Sequence, residues 1–174
     1  MNKDYKIPNN AVVLLVGVAG SGKSTLTKKA FGNETVIVSS DECRKEICGN
    51  EKDQSVSTQA FQLFYQKIED GILEGKQVVA DATNLDKFSR EKIYEIANRN
   101  NVPVYALVFN IPIDVIKRQN KMRERVVPEY AIDKMFKKMK EAYYQICEEI
   151  PNDNIIDIII PSNSKLPDDS EEIR

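Results

Sequence analysis

Gly17-Val18-Ala19-Gly20-Ser21-Gly22-Lys23-Ser24 fits the spacing G-x-x-x-x-G-K-[ST] and stands directly behind the apolar run Ala11–Val16. The chemistry open to such a segment is the holding of phosphate. Glycines at positions 17, 20 and 22 let backbone N–H groups turn inward and come close to an anion. A helix beginning at Lys23 adds the partial positive charge of its N-terminus. Lys23 is expected to reach the β- and γ-phosphates of a nucleoside triphosphate and Ser24 to hold Mg²⁺, with Ser21 and Thr25 in the same cradle.

Two further residue groups follow apolar runs. Ser39-Ser40-Asp41-Glu42-Cys43-Arg44 comes after the second. On a helix, Asp41 and Arg44 share one face. A carboxylate that takes a hydroxyl proton, beside a guanidinium that grips phosphate, suits phosphoryl transfer to an alcohol. The same spacing also allows Ser40 or Asp41 to serve as the helix N-cap. Asp81-Ala82-Thr83-Asn84 comes after the third run. Asp81, at the end of a strand beside the phosphate loop, is placed to support Mg²⁺, or else to make a structural hydrogen bond. Thr83 and Asn84 would cap the next helix or touch an acceptor.

Arg123 and Arg125 precede Pro128-Glu129, which reads as the first turn of a helix. They therefore fall at a helix–helix junction, predicted as a lid near 118–130 whose arginines stabilise the transferring phosphoryl group. A solvated basic corner is the other reading. Lys117, Arg118, Lys121, Lys134, Lys137, Lys138 and Lys140 make a local basic excess around this junction. It is either a footprint for a polyanion or the wet side of a helix.

The elements that must position these residues alternate. Runs at Ala11–Val16, Thr35–Val38, Gln77–Ala80, Val102–Phe109 and Asn154–Ile160 are mostly continuously apolar, as in parallel strands covered on both faces. Val56, Ala60, Phe61, Phe64, Ile68 and Ile72 form one helical stripe; Ile132, Met135, Phe136, Met139, Tyr143 and Ile146 form another. A β-α-β-α alternation predicts an α/β sandwich with a parallel sheet, its ligands at the carboxyl ends of the strands. The expected organisation is a single domain over 1–160 and an acidic, flexible tail over 161–174. At 174 residues such a domain buries roughly 70% of its unfolded surface.

Composition narrows the chemistry. The chain has no histidine, which removes His-based acid–base catalysis, Ser-His-Asp triads and most transition-metal sites. Three cysteines without a C-x-x-C pair fit a reducing compartment. No segment reads as a leader or membrane span, so a cytoplasmic location is expected. The net charge of −2 carries no global nucleic-acid signature.

GVAGSGKST, SSDECR followed by Asp53-Gln54, DATN, and R-x-R-x-V-P-E, in this order, resemble the kinase module of bacterial polynucleotide kinase-phosphatase and, more broadly, the 5′-hydroxyl polynucleotide kinases. The resemblance runs from about Ala11 through Tyr130. It implies a P-loop NTPase fold: five parallel strands in the order 2-3-1-4-5, helices on both faces and a helical lid. It implies ATP and Mg²⁺ held at Gly17, Gly20, Ser21, Gly22, Lys23, Ser24 and Thr25, with Asp81 on the metal. It further implies Asp41 as the base on a 5′-hydroxyl, Arg44, Gln54 and Thr83 on the acceptor, and Arg123 and Arg125 over the donor phosphates. The acceptor is then an RNA or DNA 5′-OH end, and a separate phosphatase or ligase is the expected partner, since neither domain is present in this sequence. Gln119 stands where relatives often carry arginine. A small-molecule kinase of the same superfamily and a non-enzymatic nucleotide switch remain as alternatives; the second has no need of an acceptor base.

Overall fold

The computed structural model describes residues 5–50 and 54–159. Asp53 and the acidic tail over 161–174 lie outside the described residues. The first strand, β1 (Val12–Val16), is fully buried at every position. Five consecutive apolar residues suit only a strand with both faces and both edges covered. It lies in the middle of a parallel sheet whose order is β2-β3-β1-β4-β5, the order that the resemblance implies. Its neighbours are β3 (Val78–Asp81) and β4 (Val104–Phe109); β2 (Val36–Ser39) and β5 (Ile155–Ile158) form the edges.

The helices are α1 (Lys23–Ala30), α2 (Ser40–Cys48), α3 (Ser57–Leu73), α4 (Lys87–Arg99), α5 (Ile113–Lys121) and α6 (Glu129–Glu149). Of the stripe predicted on α3, Ala60, Phe64, Ile68 and Ile72 are buried; on α6, Ile132, Met139 and Ile146 are. Val56 belongs instead to a short 3-10 turn ahead of α3. Gly71 explains how closely α3 approaches the sheet, because a Cβ there would stand 2.7 Å from Val78 Cγ2. The strands begin or end one or two residues away from their predicted limits, as apolar character continues into flanking turns.

Register decides what meets what. Ser39 of β2 pairs with Asp81 of β3, Leu14 of β1 with Ala80, and Val16 of β1 with Val108 of β4. The residues that follow β1, β2, β3 and β4 therefore emerge along one edge of the sheet, where open α/β folds bind ligands.

One buried cation, absent from the sequence-based expectations, fastens this frame. Arg90 of α4 is 0% exposed. Its Nε donates to Glu149 at 3.0 Å, its NH1 to the Asn84 carbonyl at 3.0 Å and its NH2 to Gln145 at 2.6 Å. Tyr94 also donates to Glu149. The network ties α4 to the far end of α6. Arg90→Met strands a buried carboxylate and a buried carbonyl, and should cost about 3–5 kcal/mol in urea unfolding. Adding Glu149→Leu should recover most of that loss; if it recovers nothing, the ion pair is not what holds the two helices.

Candidate active site

The turn after β1 needs glycine at two points. Gly20 has φ 87° and Gly22 has φ 92°, both in the left-handed region that side chains avoid. At Gly17 the constraint is space: a Cβ would lie 2.8 Å from Ser21 Oγ and 2.9 Å from Phe109 Cβ. Gly22 is the N-cap of α1, so the helix begins at Lys23 as expected. Gly17 N–H donates to the Thr83 carbonyl at 3.1 Å, which pins the turn to the loop after β3. Lys23 is buried, and its Nζ donates to the carbonyls of Gly17 at 2.9 Å and Val18 at 2.8 Å. Burial lowers its pKa from 10.5 to about 8; Asp81 opposes the shift, Arg123 adds to it and Asp41 opposes it.

The capping alternative for Asp41 does not hold. Ser39 is the N-cap of α2, with its Oγ accepting from Glu42 N–H at 3.3 Å. Asp41 therefore sits in the first turn with its side chain free for other work. Its Oδ1 accepts from Arg44 NH1 at 2.8 Å, the same-face pairing that the spacing predicts, and from Arg125 NH1 at 3.0 Å. Arg44 is buried, whereas the Asp41 side chain is 43% exposed. A carboxylate steadied on one side and open on the other can still receive a proton.

Asp81 ends β3 with Ser24 Oγ at 3.5 Å from its Oδ2. Burial pushes its pKa up; Lys23 pulls it down and Asp41 pushes it up again. A desolvated carboxylate next to a hydroxyl fits a hard cation. Mg²⁺ characteristically takes one or two carboxylates and completes its shell with phosphate oxygens and water, so these two donors are enough. Among the described residues no group of three or more His, Cys, Asp or Glu forms a metal cluster. Thr83 lines the same cleft. Neither Thr83 nor Asn84 caps α4; Asp86 does, accepting from Ser89 N–H at 3.2 Å. Asn84 instead adopts φ 50° and donates to the carbonyls of Leu15 at 2.7 Å and Ala80 at 3.1 Å, which locks the ends of β1 and β3 together.

The predicted lid comprises the end of α5, a non-helical turn over 122–128 and the start of α6. Asn120 closes the turn like a clasp. Its Nδ2 donates to the Val127 carbonyl at 2.7 Å and its Oδ1 accepts from Val127 N–H at 2.9 Å. The turn divides its two arginines. Arg125 pairs with Asp41, while Arg123 NH1 is buried in the cleft with no hydrogen-bond partner among the described residues. That NH1, close to Lys23, is placed to donate to an anionic oxygen. The basic excess is largely the wet side of α6, where Lys134, Lys137, Lys138 and Lys140 are exposed; Lys117 is spent on Asp133 at 2.9 Å.

These groups surround one cleft of about 810 Å³. Strand order splits it in two. Asp41, Arg44, Phe61 and Thr83 stand on the β2/β3 side; Phe109, Ile111, Gln119 and Ile158 stand on the β4/β5 side, with the phosphate loop between. Gly20, Ser21, Gly22, Lys23, Ser24 and Thr25 all line it. Gln54 opens the 3-10 turn before α3, and its side chain lies outside the described residues. Sequence reasoning passed over Asn120, Phe61 and the apolar β4/β5 wall. Asn120 has a faint local signal, an asparagine just ahead of the basic turn; the wall has none, because its members are 49 residues apart at the extremes of Phe109 and Ile158.

Known proteins resemble this chain in sequence and in fold. A protein of Acanthamoeba polyphaga mimivirus named as a bifunctional polynucleotide phosphatase/kinase is 29% identical over 126 residues, which is 71% of this chain and 26% of that protein. A chain of the Pnkp1/Rnl/Hen1 RNA repair complex superposes with TM-score 0.69 at 18% identity, covering 83% of this chain and 49% of that one. A gluconokinase from Sinorhizobium meliloti superposes with TM-score 0.54 at 15% identity over 88% of this chain and 85% of its own. This chain thus spans only about a quarter of the mimivirus protein and half of the RNA repair chain. The family profile described as an AAA domain, AAA_33, matches residues 12–146, from the first strand to the last turns of α6, and the chain belongs to that family of P-loop domains.

Proposed function

We propose that this chain transfers the γ-phosphate of ATP to the 5′-hydroxyl end of a polynucleotide, RNA or DNA. The observation that carries the reading is Asp41, set free of helix capping by Ser39 and held between Arg44 and Arg125 on the far side of the cleft from Phe109 and Ile158. A nucleotide switch has no use for a carboxylate positioned there. The mimivirus relative supports a polynucleotide acceptor by its name.

In this reading the triphosphate lies along Gly17, Gly20, Ser21, Gly22 and Thr25, with the base against the β4/β5 wall. Lys23 exchanges its two loop carbonyls for β- and γ-phosphate oxygens, and Arg123 meets the γ-phosphate. Mg²⁺, held by Ser24 and Asp81, neutralises phosphate charge when bound. The acceptor enters on the β2/β3 side, where Arg44, Thr83 and Gln54 orient it. Asp41 accepts the proton of the 5′-hydroxyl as its oxygen forms a bond to the γ-phosphorus. The bond from that phosphorus to the β–γ bridging oxygen breaks, and ADP leaves. Arg125, bound to Asp41, keeps the base in line and shields its charge from the incoming phosphate. The product, a 5′-phosphate end, is what a ligase joins, so a ligase or a phosphatase acting on the opposite end is the fitting partner class.

The test is transfer of label from γ-labelled ATP to a 5′-OH oligonucleotide, with a mononucleoside and gluconate as rival acceptors. Labelled oligonucleotide at far higher kcat/KM than either rival supports the proposal. Transfer only to a small acceptor would replace it with a small-molecule kinase, for which the gluconokinase fold likeness is a precedent.

A further inference from the structure

Aromatic rings lead out of the β2/β3 half of the cleft and end on an exposed one. Phe61 lines the cleft, and its ring centroid lies 6.0 Å from that of Tyr65. Lys92 Nζ sits 5.5 Å from the Tyr65 centroid and 4.9 Å from the Phe88 centroid. Tyr65 also donates to the Ser89 carbonyl at 3.4 Å, so α3 and α4 are already fastened at this point. Phe88 is not needed for that joint. It is 65% exposed in the first turn of α4, five residues beyond Thr83.

Two features point to an occupant. Phe88 is 65% exposed beside the aromatic pair Phe61–Tyr65 that starts in the cleft, so a flat base could stack on it in continuation of that pair. Lys92 carries a charge whose contacts are rings rather than a carboxylate, whereas neighbouring Lys87 approaches Glu91 at 4.0 Å. Ring faces interleaved with an ammonium that has no ion pair among the described residues make the surface that a single strand prefers: bases stack on the aromatics and the backbone phosphate meets the cation. The track also starts at Phe61, on the side of the cleft where the reacting 5′ end is placed.

We infer that Phe88 and Lys92 form a docking platform for the acceptor strand beyond its first nucleotide, Phe88 by stacking on a base and Lys92 by contact with a phosphate. The inference rests on the polynucleotide reading above and deepens it: the site selects a chain over a single nucleoside by gripping the strand outside the cleft. Phe61 and Tyr65 form the inner part of the same track.

The experiment compares wild type, Phe88→Ala, Phe88→Trp and Lys92→Gln on a 5′-OH octanucleotide and a 5′-OH dinucleotide, with direct binding of the fluorescently labelled octanucleotide by anisotropy. Phe88 and Lys92 are exposed, so these variants should fold. Loss of one base stack raises KM for the octanucleotide by about 5- to 100-fold, with kcat held and the dinucleotide unaffected. Phe88→Trp should restore wild-type KM, and Lys92→Gln should flatten the salt dependence of binding. Unchanged octanucleotide KM and anisotropy in Phe88→Ala overturn the platform while leaving the kinase reading intact. An equal loss on both acceptors also overturns it, since it would locate the defect inside the cleft. Wild-type protein that neither binds nor labels any oligonucleotide overturns both together.

Discussion

Lys23→Met is expected to lower kcat/KM by at least about 10³-fold while raising the stability of the ligand-free protein. The first effect follows from removing the buried ammonium at the phosphate loop, proposed to meet the β- and γ-phosphates, where charge builds during transfer. The second follows from the cost of keeping that cation buried. Its pKa falls from 10.5 to about 8 on folding, so the unfolded chain binds more protons than the folded one between those values. Stability of the wild type therefore rises as pH climbs from about 8 toward 10.5. Below pH 8 the buried charge carries its full penalty, on the order of 3 kcal/mol. Methionine removes the charge but also the hydrogen bonds to the carbonyls of Gly17 and Val18, worth about 1 kcal/mol each. The gain at pH 7 is therefore smaller than that penalty. Urea unfolding at pH 7 and pH 10 reads it directly: the wild type should gain stability over this interval relative to Lys23→Met. Parallel curves would mean that Lys23 is not a destabilising charge. In the wild type, ATP affinity should weaken above pH 8, where Lys23 loses its proton before binding.

Asp41→Asn is the second large effect, a fall in kcat of roughly 10²–10⁴ with ATP affinity little changed. Asparagine keeps the size and one acceptor oxygen but cannot take the proton. Asp41 is half-exposed but its partner Arg44 is buried, so the stability cost should be about 1–3 kcal/mol. Arg125→Ala provides the control. It removes the same contact from the other side and leaves the carboxylate. Should Arg125→Ala lose as much kcat as Asp41→Asn, the carboxylate would be an anchor for the lid rather than a base. A much smaller loss, carried in the acceptor KM, would support proton transfer at Asp41.

The way these residues came to be recognised differs from one to the next. Gly17 to Ser24 is legible in sequence because every requirement is local: two left-handed glycines, a helix start and a lysine within eight consecutive positions. The parallel sheet is legible for a similar reason, since short β-branched apolar runs such as Val12–Val16, alternating with helical stripes, read as strands covered on both faces. Asp41 and Arg44 could be put on one face by spacing alone. Which residue capped their helix could not, because Ser39, Ser40 and Asp41 all cap well and the choice depends on where β2 stops against β3.

Contacts between distant segments had no local trace. Arg125 meets Asp41 across 84 residues, and Ser24 meets Asp81 across 57. Arg90 looked like one more charge on a helix until α6 brought Glu149 and Gln145 against it. Phe88 lies one helical turn before Lys92, but only the packing of α3 against α4 brings the Tyr65 ring to the same ammonium. The phosphate loop and the fold class are written in neighbouring residues, because short-range backbone geometry and hydrophobic periodicity are local. Which arginine meets Asp41 and which lies unpaired in the cleft, and how the cleft divides, rest on strand order and helix packing that bring remote side chains within a few ångströms.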